Sequence, residues 1–233
     1  MAAERPAYIA ESRFGKWFLR TDIWETRVLD VAMRDLDRLI ANRATAYPVI
    51  VDVGCGGGQS FKRLRARFSP ELIVGIDIDA EMLSLAASQS GEIDIPVTLI
   101  RGTSASLCLG DETVDMVFCH QTFHHLADQE RAISEFHRVL KPGGLLLFAE
   151  STRAFIHSWI IRLLFRHPMD VQKSAEEYRE FIEQAGFDCA ANATSYPYLW
   201  WSRADLGLVE KLLGPRPPAT REETLLNLVA VKH

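Results

Sequence analysis

At 233 residues the chain is long enough to bury a full core in one domain, with room for at most a small appendage. A net charge of −5 and a pI near 5.8 argue against a nucleic-acid partner, because phosphate recognition draws on a basic face. The cysteines Cys55, Cys108, Cys119 and Cys189 lie far apart with no C-x-x-C pair, which excludes a zinc ribbon and predicts a reduced, cytoplasmic protein. Met1 to Tyr8 lacks the apolar core of a signal peptide, and no run approaches the roughly 20 apolar residues of a membrane span.

Two helical patterns come first. Phe14, Trp17 and Phe18 form an aromatic stripe, and Val28, Ala32, Leu36, Leu39 and Ile40 recur at i, i+3 or i+4, so residues 12–46 are expected to pack as helices against a sheet edge. Val49 to Val53 is β-branched apart from Asp52 and has the composition of a strand covered on both faces, as in a parallel sheet. It stops in Gly54, Gly56, Gly57 and Gly58, after which Ser60, Phe61, Leu64 and Phe68 continue at helical spacing. A strand, a tight glycine loop and a helix in that order place a ligand at the strand's C-terminal edge, facing the helix N-terminus.

Leu72 to Asp79 reads as a second apolar strand ending in two carboxylates. Asp77 stands 21 residues after Gly56, the separation at which an acid accepts hydrogen bonds from a ribose diol, while Asp79 is placed to cap a helix from Ala80 to Ser88. Val97 to Ile100 is a third strand, followed by the loop Arg101-Gly102-Thr103-Ser104. Asp115 to His120 is a fourth, and Gln121 to Asp128 leads into a helix reaching about Leu140, with Asp128 as N-cap and Ile133, Phe136, Val139 and Leu140 on its buried face. Lys141-Pro142-Gly143-Gly144 breaks that helix, and Leu145 to Ala149 forms a fifth strand ending at Glu150.

Arg153 to Arg166 contains no acid and is apolar apart from Ser158, Arg162, Arg166 and His157. Leaving the fifth strand beside the ligand crevice, it is expected to form a lid helix over an apolar acceptor pocket, with Tyr198, Trp200 and Trp201 as further candidates for the wall. The alternatives are a helix packed on the domain or at a dimer interface, and a weak membrane-surface contact. Ser174 to Ala185 is an amphipathic helix stopped by Gly186, a sixth strand is expected from about Phe187, and Leu225 to Val231 reads as a seventh. Between them lie a helical pattern from Ala204 to Leu213 and a Pro-rich loop at Pro215 to Pro218.

The glycine spacing selects among cofactors. A dinucleotide fingerprint fails, because Gln59 stands where G-x-G-x-x-G needs its third glycine. The pattern Asp52-x-Gly54-x-Gly56-x-Gly58 instead resembles the first motif of class I S-adenosylmethionine-dependent methyltransferases. Asp77, the Gly102 loop and Arg138-Val-Leu-Lys-Pro-Gly-Gly-Leu-Leu-Leu follow in that family's order across about residues 49–150. The resemblance implies an α/β, doubly wound, mostly parallel seven-stranded sheet of Rossmann-like type, with helices on both faces and an antiparallel final strand. It implies one methyltransferase domain over residues 1–233, divided into a helical cap at 1–46, a cofactor-binding core at 49–150, and a lid helix, last strands and substrate-side insertions at 151–233. It also implies S-adenosylmethionine as cofactor, with Asp52, Gly54, Cys55, Gly56, Gly58, Asp77, Ile78, Gly102, Thr103, Ser104 and His120 as the binding set. The family often carries an acid just after the glycine of the third-strand loop, where this chain has Thr103, so backbone groups or the hydroxyls of Thr103 and Ser104 are the expected adenine contacts.

Methyl transfer from a sulfonium needs alignment more than acid–base help, and a base matters only where a hydroxyl acceptor must lose its proton. His124 and His125, after the fourth strand, and Glu150, after the fifth, resemble the base system of small-molecule O-methyltransferases and are the candidate catalytic residues. The bland alternative has one histidine capping a helix and the other packed in the core. His120, His124 and His125 as a metal triad are set aside because the spacing brings no nearby carboxylate set, and no metal is expected. The chain carries no Asn/Asp-Pro-Pro-Tyr segment after the fourth strand, which disfavours nucleobase and glutamine acceptors. The expected function is methyl transfer to a small apolar or aromatic acceptor, with oxygen the somewhat preferred atom, by a monomer or homodimer without integral membrane association. A catalytically silent cofactor-binding protein and a nicotinamide-dependent oxidoreductase are the competing classes, the latter disfavoured by Gln59 and the Lys-Pro-Gly-Gly block.

Overall fold

The computed structural model describes residues 12–197 and 223–233, and every structural statement here concerns those residues. Its centre is β1 (Val49–Val53), flanked by β2 (Leu72–Asp77) and β4 (Val114–His120), with β3 (Val97–Arg101) outside β2 and β5 (Leu140–Ser151) outside β4. These five strands are parallel. On the far side β5 pairs antiparallel with β8 (Leu225–Lys232), which carries β6 (Phe187–Asp188) on its outer edge, giving the order β3-β2-β1-β4-β5-β8-β6. The chain reverses its winding direction between β1 and β4, and the strands' C-terminal ends there open the crevice in which α/β sheets bind ligands.

Burial on both faces explains why the strands are so apolar. Val51, Val53 and Val117 face one layer, with Phe136 from α6 (Gln129–Val139) and Tyr178 and Ile182 from α9 (Ala175–Gln184). Ile50, Ile73 and Met116 face the other, with Leu36 from α3 (Asp30–Leu39), Phe61, Leu64 and Phe68 from α4 (Phe61–Phe68) and Ala86 from α5 (Ala80–Ser90). The period-2 alternation thus separates two cores, and each fully buried Phe or Leu contributes about 1.5–3 kcal/mol through area removed from water. Caps fix the helix starts: Asp79 Oδ1 accepts from the Glu81 and Met82 amides, Asp128 Oδ1 from Arg131, and Ser174 closes a capping box with Glu177.

The expected order of strands and helices is present, with three local differences. The strand expected from Phe187 is split into β6 and β7 (Thr194–Ser195) by a 3-10 turn at Ala191–Ala193, and both pieces pair with β8, adding a two-residue eighth strand. β5 begins at Leu140 rather than Leu145, running through the Lys-Pro-Gly-Gly block with a register shift against β4. The segment from Arg153 to Arg166 is not one helix but two short ones, α7 (Arg153–Ile156) and α8 (Trp159–Leu164). Ser158 between them has extended backbone, the conformation of an N-cap and not of a helix interior. At the other end, α1 (Arg13–Phe18) and α2 (Asp22–Trp24) precede a π-helical turn, Glu25–Leu29, that runs into α3. Tyr198, Trp200, Trp201, the 204–213 pattern and the Pro-rich loop lie outside the described residues. No described helix is long and apolar enough to cross a membrane.

Candidate active site

The glycine loop forms because three of its residues adopt positive φ, a region that L side chains rarely enter: Gly54 at +73°, Gly56 at +52° and Gly58 at +82°. At Gly54 space is a second constraint, since a Cβ there would lie 2.2 Å from Thr122 Oγ1. The loop is tied to β2: Gly54 N and Cys55 N donate to Ile76 O at 2.8 and 3.1 Å, and Gly56 N donates to Asp77 Oδ2 at 2.8 Å. Asp77 Oδ1 accepts from Asp79 N, also at 2.8 Å, so the carboxylate bridges the ends of β1 and β2 and stands at the crevice wall. Burial raises its pKa above the usual carboxylate range, against the lowering effect of these backbone bonds.

Of the residues expected to hold a cofactor, Gly54, Cys55, Gly56, Asp77, Ile78, Gly102, Thr103, Ser104 and His120 line one crevice. Asp52 and Gly58 do not line it. Asp52 lies behind the loop, 2% exposed, and accepts a hydrogen bond from Ser60 Oγ at the start of α4. Burial pushes its pKa up to about 7, with the Asp77 charge adding and the Ser60 bond subtracting. Gly58 is needed because a Cβ there would press on the Phe61 ring at 2.7 Å. Both residues shape the loop from the rear. Thr103 Oγ1 accepts from Ala105 N at 3.0 Å, which leaves the hydroxyl proton as its donor toward the crevice.

The outer wall comes from the N-terminal helices. Lys16 and Leu19 line the crevice, and Lys16 Nζ pairs with Asp79 Oδ2 at 2.6 Å, Arg20 with Glu81 at 2.6 Å, and Gln59 Nε2 with Leu19 O at 3.1 Å. Nothing in the spacing of these residues marks them as site residues, because their position depends on the cap folding back over the loop.

A second cavity, of about 830 Å³, adjoins the first and shares Leu19, Trp24, His120, Gln121 and His125 with it. Its wall is mainly apolar: Phe14, Phe18, Ile23 and Val28 come from the cap, and Phe155, Ile156, Ile161, Leu164 and Phe165 from the segment after β5. The two groups meet, with Phe165 packed edge-on against Phe14 and Phe18 at 5.6 and 6.1 Å, and Ser12 Oγ donating to Leu164 O at 2.6 Å. Residues 153–166, expected as one lid helix, contribute two short helices and the extended residues after them to the wall of this cavity.

The polar end of this cavity is built by the chain's exit from β4. Gln121 takes φ of +51°, unusual outside glycine, and turns the backbone into a 3-10 turn at Phe123–His125. Glu150 at the end of β5 holds that turn: Oε1 accepts from the Thr122 and Phe123 amides, both at 2.8 Å, and Oε2 lies 2.6 Å from His124 Nδ1. An ionised carboxylate only accepts, so opposite one this contact is donated by His124 Nδ1–H, the tautomer that leaves Nε2 without a proton. Both side chains are almost fully buried, and His124 faces the large cavity.

His120 and His125 stand on the wall common to both cavities. Burial holds the His120 ring neutral, its pKa pushed down to about 3, and its Nε2 is buried with no hydrogen-bond partner among the described residues. Such a nitrogen calls for a ligand's polar group, and with the glycine cradle and the Asp77 carboxylate it fits an adenosyl amino acid. Burial likewise pushes the His125 pKa well down, followed by the effects of His124 and His167. His124 and Glu150 are thus brought together; His125 is not on Glu150. His167, in the same cavity, was not singled out by spacing, since it follows the lid segment and no pattern includes it.

Residues 51–148 match the family described as a methyltransferase domain. The malonyl-[acyl-carrier protein] O-methyltransferase 1 of Coxiella burnetii is 34% identical over 119 residues, covering 51% of this chain and 39% of that protein. The demethylmenaquinone methyltransferase of Deinococcus radiodurans is 29% identical over 178 residues, covering 74% of this chain and 68% of that protein. Against the curated relatives at 34–35% identity, the chain spans about two fifths of their length. A chain from a complex containing the Haloferax volcanii Trm112 methyltransferase activator superposes with a TM-score of 0.69 at 24% identity, covering 94% of this chain and 96% of that one, a likeness of fold. Residues 51–148 match a methyltransferase domain, and fold, glycine loop and matched region agree with the class I S-adenosylmethionine-dependent methyltransferases, which implies S-adenosylmethionine as cofactor.

Proposed function

We propose that the chain transfers the methyl group of S-adenosylmethionine to a hydroxyl of a small apolar or aromatic acceptor, with His124 as general base and Glu150 as its positioning partner. The observation that carries this reading is the 2.6 Å contact between His124 Nδ1 and Glu150 Oε2 at the polar end of an otherwise apolar cavity of about 830 Å³. The bound cofactor supplies an activated methyl group. The protein's own part is alignment, worth roughly 7–11 kcal/mol when both reactants are held in line, and removal of the acceptor proton. Asp77 and the Gly54–Gly58 loop would seat the ribose and the amino-acid portion, with Gly102, Thr103, Ser104 and Ile78 around the base. His120, neutral and on the common wall, would keep its part of the transfer zone free of a positive side chain that opposes the sulfonium.

The cap and the segment after β5 act with the core as a single domain in this reading, because each contributes to the wall of the second cavity. Free cysteines, buried at Cys55, Cys119 and Cys189, fit a reducing, cytoplasmic setting. Both the Coxiella and the Deinococcus relatives are named for methyl transfer, the first to oxygen; fold likeness alone does not fix a reaction, so the base carries the weight.

The test is direct. Wild-type protein is expected to bind S-adenosylmethionine in calorimetry and to methylate hydroxylated aromatic or prenylated acceptors. His124→Ala is expected to lower turnover on the order of 10²- to 10⁴-fold while cofactor affinity stays within about twofold. Unchanged turnover in His124→Ala would assign the dyad to packing, and NADH binding in place of S-adenosylmethionine would end the reading.

A further inference from the structure

The cluster that the proposed base belongs to is larger than a dyad. His124, His125 and His167 cluster, with ring centroids 4.4 Å apart for His124–His125 (tilted), 4.6 Å for His125–His167 (stacked) and 5.1 Å for His124–His167 (tilted). One ring nitrogen from each lies within 4.8 Å of the other two. Gln172 holds the arrangement: its Nε2 donates to His124 O at 2.8 Å and to Pro168 O at 2.6 Å, fixing the backbone beside His167 against the 3-10 turn.

We infer that His124, His125 and His167 form a binding site for one divalent transition-metal ion of the zinc class, with its open coordination position on the acceptor cavity. One buried and two half-buried imidazoles are gathered around one point, and a cation between them is ligated by one ring nitrogen from each. The donor set is all nitrogen, which selects Zn²⁺, Co²⁺ or Ni²⁺ over the oxygen-seeking Mg²⁺ and Ca²⁺. Three protein ligands and one vacant position is the pattern of a metal centre that keeps a place for a small molecule. Glu150 supplies the outer partner that ligating histidines almost always have: it accepts a hydrogen bond from His124 Nδ1–H, which leaves Nε2 as the ligand. Zn–N bonds of about 2.0–2.1 Å in a tetrahedron require nitrogens roughly 3.3 Å apart, so small ring rotations close the site around the ion. His167 stands 42 residues beyond His125, which is why a search by spacing does not find this triad.

The inference shares the His124–Glu150 geometry with the proposed base but does not depend on methyl transfer. An ion on His124 Nε2 and a base at the same nitrogen exclude each other, so the two are measured separately, the base on chelator-treated protein and the metal site without acceptor. The full chain, stripped with a chelator, is titrated with Co²⁺ followed by visible absorption and with Zn²⁺ followed by calorimetry. The expected result is one ion per chain, with a Co²⁺ spectrum of four-coordinate intensity. His167→Ala is expected to weaken binding at least about 100-fold and Glu150→Gln about 10- to 100-fold. His157→Ala, at an exposed histidine outside the cluster, is expected to leave binding unchanged. S-adenosylhomocysteine affinity of each variant reports whether it is folded, and His167→Gln, which keeps bulk without an imidazole, serves if His167→Ala is not. Wild-type binding retained in a folded His167 variant, or no saturable binding at micromolar Co²⁺ by the wild type, would overturn the site while leaving the methyltransferase reading intact.

Discussion

The two cavities that meet at His120 and His125 are made by different means. The cofactor crevice is a backbone structure: consecutive strand ends and a glycine loop hold it through main-chain bonds, Gly54 and Cys55 to Ile76 and Gly56 to Asp77. The cavity proposed for the acceptor is a side-chain structure, assembled from a cap that precedes the sheet, a segment that leaves β5, and a turn braced by Glu150. A backbone site tolerates little change and serves one ligand, whereas an apolar wall made by Phe14, Phe18, Phe155 and Phe165 admits repacking and can be re-specified. Substitutions in the crevice are therefore expected to act on cofactor affinity, and substitutions in the second cavity on turnover and acceptor choice.

Gly54→Ala is the severest way to break the crevice. It puts a side chain at φ +73° and 2.2 Å from Thr122 Oγ1, and is expected to cost on the order of 2–4 kcal/mol, seen as a roughly 30- to 1,000-fold loss of S-adenosylmethionine affinity in calorimetry. Wild-type affinity in this variant would remove the loop from the binding site. Asp77→Ala comes next. Losing its charge-assisted bonds to the ligand should lower affinity roughly 10- to 150-fold, about 1.5–3 kcal/mol, with turnover at saturating cofactor little changed. A fall in saturated turnover with intact affinity would erase the division of labour between the two cavities.

Asp52 sharpens the comparison from behind the loop. In the fold it keeps its proton up to about pH 7, while in the unfolded chain it loses it near 3.8. Between those values the native state binds more protons than the unfolded state, so stability falls as pH rises, by about 1.4 kcal/mol per pH unit from this group. Asp52→Asn removes that titration and keeps an acceptor for Ser60, so the difference in denaturant midpoint between variant and wild type is expected to widen in the variant's favour from about pH 4.5 to 7. A constant difference over that window would mean that Asp52 is ionised in the fold. The smallest effect belongs to the cap. Lys16→Ala removes a partly exposed ion pair with Asp79, worth under about 1 kcal/mol, and is expected to raise the cofactor's dissociation rate a few-fold in stopped-flow measurements. No change in that rate would detach the cap from cofactor retention.

The same contrast explains what could be read from the residues in advance. Gly54, Gly56 and Asp77 are tied to the crevice by local backbone need and a short spacing, so their placement follows once the strand and helix on either side are recognised. His124 sits just past the end of β4 and Glu150 at the end of β5, and parallel register brings such positions side by side; β4 and β5 pair through His120 and Ala149. Asp52 and Gly58 belong to the same short motif yet face away from the crevice, because a motif preserves a loop's shape as well as its contacts. Thr122, Trp24, Lys16 and His167 carry no local signal. Each reaches the site through packing between distant segments, such as Trp24 set edge-on to His120 at 5.3 Å, and periodicity along the chain does not encode those encounters. The break at Ser158 follows the same rule: an apolar run is compatible with one helix or two, and the wall it must cover decides.

The claim on which the rest depends is that the methyl group is delivered at the wall the two cavities share. A crystal structure of the protein with S-adenosylhomocysteine tests it without knowledge of the acceptor. The ribose is expected on Asp77, the base beside Ile78 and Thr103, and the sulfur at His120, Gln121 and His125, facing the cavity of about 830 Å³ that holds His124. A ribose seated away from Asp77, or a sulfur facing solvent with protein between it and that cavity, would contradict the account.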